Sequence, residues 1–249
     1  MKKYRLIFLL TLSQFTTYRL QVFAQFLNSS LPLAITWVVL SFAASASISS
    51  APLISYYILV SLTAPLSFSA VDEELEEITF TGQVNNFLLQ PLSLFRWLLA
   101  KSLSEKIISL LFLFPLILLA IWSLGVLPGR IFFAFLSLFI SFLLSFSLSF
   151  LVGLGCFWID EFWAVRNVKY VVTQLLGGLV LPYAFFPSTA LKIIHFTPFP
   201  YLIGWAGRIL NSGYLLSEFI IASFWLIIIV SLTRLLLRQA INKYSFTGG

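Results

Sequence analysis

Charge is the first thing this sequence lacks. Only 10% of its 249 residues are Asp, Glu, Lys or Arg, against about 25% in ordinary soluble domains, while 60% are hydrophobic and the mean hydropathy is +1.00. That balance excludes a water-soluble globular domain. Cysteine and histidine occur once each, as Cys156 and His195. One of each excludes an intrachain disulfide, a Cys/His metal site and a Cys–His nucleophile within a single copy. No GxxxxGK[ST] phosphate loop is present either, so the chain is not expected to hydrolyse ATP by itself or to carry a catalytic residue. What it has in quantity is aromatic and aliphatic bulk, including 27 Phe, 9 Tyr and 7 Trp.

A charged side chain in hydrocarbon is costly, so spans must lie between charges. Arg19 and Asp72 bracket 52 residues free of Asp, Glu, Lys and Arg. That interval holds two spans of about 20 residues if a turn divides it, and Ser45 to Pro52, small, polar and ended by proline, supplies the turn. Spans are therefore predicted near Phe23–Phe42 and Pro52–Val71. Ile107–Gly129, Ile131–Ile159, Tyr170–Leu191 and Phe219–Thr233 supply four more. The fold class is an all-α polytopic membrane protein, with residues 1–249 forming one transmembrane domain of six helices.

Two further apolar runs are poor spans. Leu6–Tyr18 follows Lys2, Lys3 and Arg5 and is closed by Arg19; it is too short to cross, and no small-x-small cleavage site follows it. Residues 1–20 read as a helix lying in the interface plane. Ile193–Gly207 is interrupted by His195, Pro198 and Pro200 and reads as two short helices.

Orientation follows from the basic residues. Twelve of the 15 fall on one side of the six-span arrangement, and only Arg130, Lys192 and Arg208 on the other, which places both termini in the cytoplasm; the expected location is the cell (inner or plasma) membrane, as a multi-pass protein. The net charge of +6 arises from these flanks rather than from a patch, so no nucleic-acid partner is expected.

Two connections are long. Residues 72–106 open with the acidic run Asp72 to Glu77, read as a solvated helix end rather than a metal site, and continue through Gly82 to Pro91. Leu75, Ile78 and Phe80, then Val84, Phe87 and Leu88, put apolar residues on one side of short helices, with Gly82 and Pro91 as punctuation. That face meets either lipid headgroups, as a helix joining two spans, or a partner protein. Residues 186–213 lie on the outer side, with a helix over Ala190–Phe196, a break at Thr197 to Pro200 and a second helix over Tyr201–Leu210. Phe185, Phe186, Phe199, Tyr201 and Trp205 suit either a re-entrant helical pair before the last span or an aromatic belt at the surface.

Within the spans almost nothing is ionisable. Coupled carriers hold ions on intramembrane charges, and here Glu218, Asp160, Glu161, Glu105 and Lys106 fall near span ends. Gly153, Gly155 and the pair Gly177-Gly178 are read as close helix contacts, Cys156 as a small packing residue, and His195 as interfacial or hydrogen-bonded. Ser137, Ser141 and Ser145 share one face of the fourth span, for packing or for a mildly polar path.

These pieces resemble the permease subunit of an ATP-binding-cassette exporter of the second export class. Gly82-Gln-Val-Asn-Asn-Phe-Leu-Leu-Gln-Pro-Leu92 is similar to a G-x-[IV]-x-x-x-L-x-x-P-[LV] pattern in one subgroup, and Gly153-Leu-Gly155, Phe157-Trp158, Gly177-Gly178, Pro182 and Phe186-Pro187 look like its later landmarks. Gln90 departs from the basic residue common before the proline. The resemblance implies that Gly82, Val84, Phe87, Leu88, Leu89 and Pro91 form a coupling segment docked on soluble ABC ATPase subunits, with Asp160, Glu161 and Arg166 in a smaller second contact. Phe185, Phe186, Pro187, Phe199, Tyr201 and Trp205 would form the outer re-entrant gate. It further implies a second permease chain, identical or related, contact with membrane lipid, and no cofactor on this chain, ATP and Mg being held by the partner ATPase. A stand-alone carrier or channel, or a membrane scaffold that moves nothing, are the rival readings.

Overall fold

The computed structural model describes residues 51–89 and 93–246. The helix expected over residues 1–20 and the span expected near Phe23–Phe42 lie outside them. Among the described residues the regular structure is helical: α1 (Ala51–Ser67), α2 (Val71–Phe80), α3 (Val84–Leu89), α4 (Leu94–Ser123), α5 (Pro128–Gly153), α6 (Phe162–Leu176), α7 (Ser188–Phe196), α8 (Trp205–Ser212) and α9 (Leu216–Phe246), with 3-10 turns at Leu154–Phe157, Tyr183–Phe185 and Phe199–Tyr201.

Among the described residues, four segments are long and apolar enough to cross a membrane: Leu53–Phe80, Leu94–Ser123, Pro128–Phe157 and Leu216–Lys243. They coincide with the second, third, fourth and sixth predicted spans, yet all four run past charges that bounded those intervals, α4 and α9 furthest. Helix α4 starts at Leu94 and carries Arg96, Lys101, Glu105 and Lys106 in its first half, and α9 continues to Phe246. Lys, Arg and Glu are good helix formers, so a charge limits burial in lipid without ending the helix.

Tyr170–Leu191 does not form one helix. Helix α6 begins earlier, at Phe162, and ends at Leu176; Gly178 then turns the chain at φ 80°, and Pro182 opens a short 3-10 turn. Fifteen helical residues reach only about 22 Å at 1.5 Å per residue. Glycine and proline outweigh the apolar composition of the interval.

Helix α5 lies at the centre, packed against α1, α2, α8 and α9. Its Phe142, Phe146 and Phe150 recur every four residues and are buried, with Phe95 edge-on to Phe146 at 5.3 Å and to Phe150 at 5.1 Å. They join Leu75, Leu98, Leu154 and Phe162 in one core cluster. A second cluster gathers Leu59, Leu62, Tyr201, Trp205, Ile209 and Ala222. The serine face of α5 is buried as well: Ser137, Ser141 and Ser145 are enclosed by neighbouring helices, as the packing reading expects.

The periphery is apolar. Leu111, Phe112, Leu119 and Trp122 on α4 and Ile220, Phe224, Ile227 and Leu235 on α9 stand exposed, an arrangement that aggregates in water and is at home in acyl chains. The chain is a multi-pass membrane protein.

Glycine sets the tightest approach. A Cβ on Gly207 would stand 2.5 Å from the Val60 Cα, and one on Gly153 would stand 3.0 Å from the Asp72 Cα. Helix α8 therefore touches α1 backbone to backbone near its midpoint, and α5 meets α2 at the first acid of the acidic run. Gly153 is the close helix contact its sequence setting predicts.

Candidate functional site

The chemistry-bearing side chains collect at the two ends of the bundle. At one end α1 gives way to α2. Pro65 lies inside α1, and the Pro65 carbonyl accepts a hydrogen bond from Lys106 Nζ at 3.0 Å. Ser69, between the helices, donates its N–H to Ser145 Oγ at 3.0 Å and accepts at its carbonyl from Ser149 Oγ at 2.6 Å. Two hydroxyls from consecutive turns of α5 thus satisfy the backbone groups that a helix break leaves open.

The acidic run follows directly, and it is not a solvated helix end. Asp72 is fully buried and receives Lys169 Nζ from α6 at 2.7 Å, the lysine itself only 8% exposed. Lys169 also donates to Ser149 Oγ at 3.1 Å. Glu76 pairs with Arg166 at 2.6 Å, Glu73 lies 3.9 Å from the same guanidinium, and Glu74 pairs with Lys101 of α4. Three α2 carboxylates sit in its first turn, where the helix dipole favours negative charge. No group of three His, Cys, Asp or Glu suited to a metal occurs among the described residues.

Gly82, at φ 72°, turns the chain from α2 into α3. Phe80 is 52% exposed, whereas Val84 is only 1% exposed and belongs to the core cluster. Phe87 is half-buried edge-on against Trp97 at 5.1 Å. Leu88 and Leu89 complete α3; Pro91 lies outside the described residues. Asp160 and Glu161 are exposed ahead of α6, while Arg166 is engaged with Glu76. Cys156 is buried, its Sγ 3.2 Å from Thr79 Oγ1.

At the opposite end the expected helical pair is present as α7 and α8, joined through the turn at Phe199–Tyr201 and by Gly204 at φ 75°. Its aromatic residues divide. Phe185 is exposed, Pro187 is exposed, and Phe186 and Phe199 are half-buried; Tyr201 and Trp205 are completely enclosed. Tyr201 donates its hydroxyl to the His195 carbonyl at 2.8 Å, and its ring stands edge-on to Trp205. The last two are core residues rather than members of a surface belt.

The charges here escape a reading of the sequence. Arg208 and Glu218, a loop cation and a helix-end acid by sequence, face each other with Arg208 Nη1 3.9 Å from Glu218 Oε1. Glu218 Oε2 accepts from Trp205 Nε1 at 2.8 Å, Arg208 Nη2 donates to the Pro200 carbonyl at 2.8 Å, and the guanidinium stacks 4.7 Å above the Tyr183 ring. A cavity of about 550 Å³ opens beside them, lined also by Tyr56, His195 and Asn211. Asn211 ties the rim together: Ser55 donates to its side chain at 2.7 Å and Arg130 to its carbonyl at 3.0 Å. The one sequence signal was opposite charges flanking the turn at Gly213.

Residues 47–248, most of the chain, match a family model described as ABC-2 family transporter protein. No curated protein matches the chain.

Proposed function

The chain belongs to the ABC-2 family of transporter proteins, and on that premise we propose that it is the permease subunit of an ABC exporter, driven by ATP hydrolysis in separate soluble subunits. The observation that carries this reading is the bracing of α2: Asp72, Glu74 and Glu76 pair with Lys169, Lys101 and Arg166 on two other helices. A push on the α2–α3 segment then moves the ends of α4 and α6 with it. A segment merely lying on headgroups would need no such bracing.

Gly82, Phe87, Leu88, Leu89 and Pro91 form the docking segment in this proposal, with Phe80 beside them, while Val84 anchors the segment from within. Asp160 and Glu161 make the second contact, and Arg166 acts through Glu76. Two permease chains enclose the path, since one bundle supplies one wall. The chain contributes no catalytic residue; ATP and Mg²⁺ are held by the partner ATPase.

In the membrane the proposal has six spans: Phe23–Phe42, α1, α4, α5, α6 with the turn that follows it, and α9. The short fifth crossing is supported by its ends, Lys169 lying beside Asp72 and Tyr183 beside Arg208. Helices α7 and α8 re-enter from outside, α8 reaching Val60 near the midpoint of α1; Phe185, Phe186, Pro187, Phe199, Tyr201 and Trp205 shape that gate. Twelve of 15 basic residues on the other side orient both termini to the cytoplasm of the cell membrane.

The test is co-expression with a soluble ABC ATPase from the same genome, followed by purification on a tag on the permease. The ATPase should co-purify, and Leu88→Asp should release it and abolish ATP-driven uptake into inverted vesicles. An unchanged complex and unchanged uptake with Leu88→Asp would defeat the docking assignment.

A further inference from the structure

The cavity beside Arg208 and Glu218 borders the proposed gate but is given no ligand by the exporter reading, and the following does not depend on ATPase docking. A close ion pair satisfies itself and leaves nothing for a ligand. This pair does not: Arg208 Nη1 and Glu218 Oε1 stand 3.9 Å apart, beyond hydrogen-bond reach, and each residue spends its other terminal atom on the protein, Nη2 on the Pro200 carbonyl and Oε2 on Trp205. The two side chains are only 12% and 13% exposed, and both line the cavity. They are held at fixed positions with Arg208 Nη1 and Glu218 Oε1 short of a hydrogen bond and Arg208 Nε buried without a partner among the described residues, in surroundings where unused valences are costly.

From this geometry we propose that the cavity binds the headgroup of a zwitterionic membrane lipid carrying a primary ammonium, its phosphate received by Arg208 and its ammonium by Glu218. A purely anionic group is opposed by Glu218 and a purely cationic one by Arg208. A quaternary ammonium cannot donate the hydrogen bond that Oε1 is free to accept. His195 also lines the cavity, its ring held by an Nδ1–H donated to the Leu191 carbonyl at 2.7 Å. The rim selects a lipid over a free headgroup, because Leu53, Tyr214 and Leu215 also line the cavity and Leu215 and Leu216, 65% and 66% exposed, offer apolar surface beside it for acyl chains.

Native mass spectrometry of the full detergent-purified chain tests this with four probes: phosphatidylethanolamine, phosphatidylcholine, phosphatidylglycerol and soluble glycerophosphoethanolamine. Phosphatidylethanolamine should be retained about tenfold over the other two lipids, the weight of one charge-assisted hydrogen bond. Glu218→Gln is the deciding variant, since its amide oxygen still accepts from Trp205. It should lose the preference and retain phosphatidylglycerol as well as or better than phosphatidylethanolamine, with Arg208 no longer opposed. Arg208→Gln should weaken all three phospholipids. Equal retention of the three lipids by the wild type, or a preference unchanged by Glu218→Gln, would overturn the assignment. A soluble headgroup bound as tightly as the lipid would overturn its lipid half.

Discussion

Lys169 Nζ lies 2.7 Å from Asp72 Oδ1, and the two side chains are 8% and 0% exposed. They come from helices 97 residues apart in sequence, and their union fixes where the acidic helix stands against the bundle. A buried pair of this kind adds little over an apolar substitute, but losing one partner strands a charge.

Asp72→Asn or Lys169→Met alone should therefore destabilise the protein by about 3–5 kcal/mol, read as a lower midpoint in a thermal melt in detergent. The double variant Asp72→Leu with Lys169→Met should recover most of the loss. A double variant as unstable as the sum of the singles would show that the two residues do not act as a pair.

Gly207→Ala drives a methyl into the Val60 backbone at 2.5 Å, where nothing flexible can yield. Overpacking of this sort costs about 1–3 kcal/mol. Gly129→Ala, with no heavy atom within 4 Å of the added carbon, is the control and should leave the melting midpoint within error.

The α2–α3 segment should separate two kinds of variant. Phe80→Asp changes an exposed side chain and should reduce ATPase co-purification with an unaltered melt of the isolated permease. Val84→Asp puts a carboxylate into the core cluster and should lower the melting midpoint before any partner is added. Equal effects on both readouts would erase the distinction between docking face and anchor.

Cys156 is 4% exposed, so a membrane-permeant maleimide should leave it unmodified in the folded chain and label it fully in dodecyl sulfate, as intact-mass measurement will show. In a Cys156→Ala background, cysteine at Ser245 should react only from the cytoplasmic face and cysteine at the exposed Thr189 only from outside. Reaction of Ser245→Cys from outside would reverse the orientation.

Composition alone carried the long helices, because a bilayer leaves an apolar chain few alternatives. The α7–α8 pair was legible too, through Pro198, Pro200 and Gly213, and so was the turn at Gly82. Two things were not. The fifth interval reads as a span by hydropathy, and only Gly177-Gly178 and Pro182 hint that its helix has ended by Leu176. The ion pairs depend on which helices become neighbours: nothing near Asp72 in sequence announces Lys169, so a run of acids looks solvated until α6 is laid against it. Burial misleads in the same way at Val84, whose apolar character is equally suited to a partner's groove and to this chain's own core.

The serine clip on the α1–α2 junction has a consequence for the exchange of hydrogen with solvent. Ser69 lies outside any helix, and a junction amide would ordinarily exchange among the first in the molecule. Here its N–H is committed to Ser145 and its carbonyl to Ser149, so Ser69 should exchange on the timescale of α5 itself, and the bend should open only when the helix behind it does.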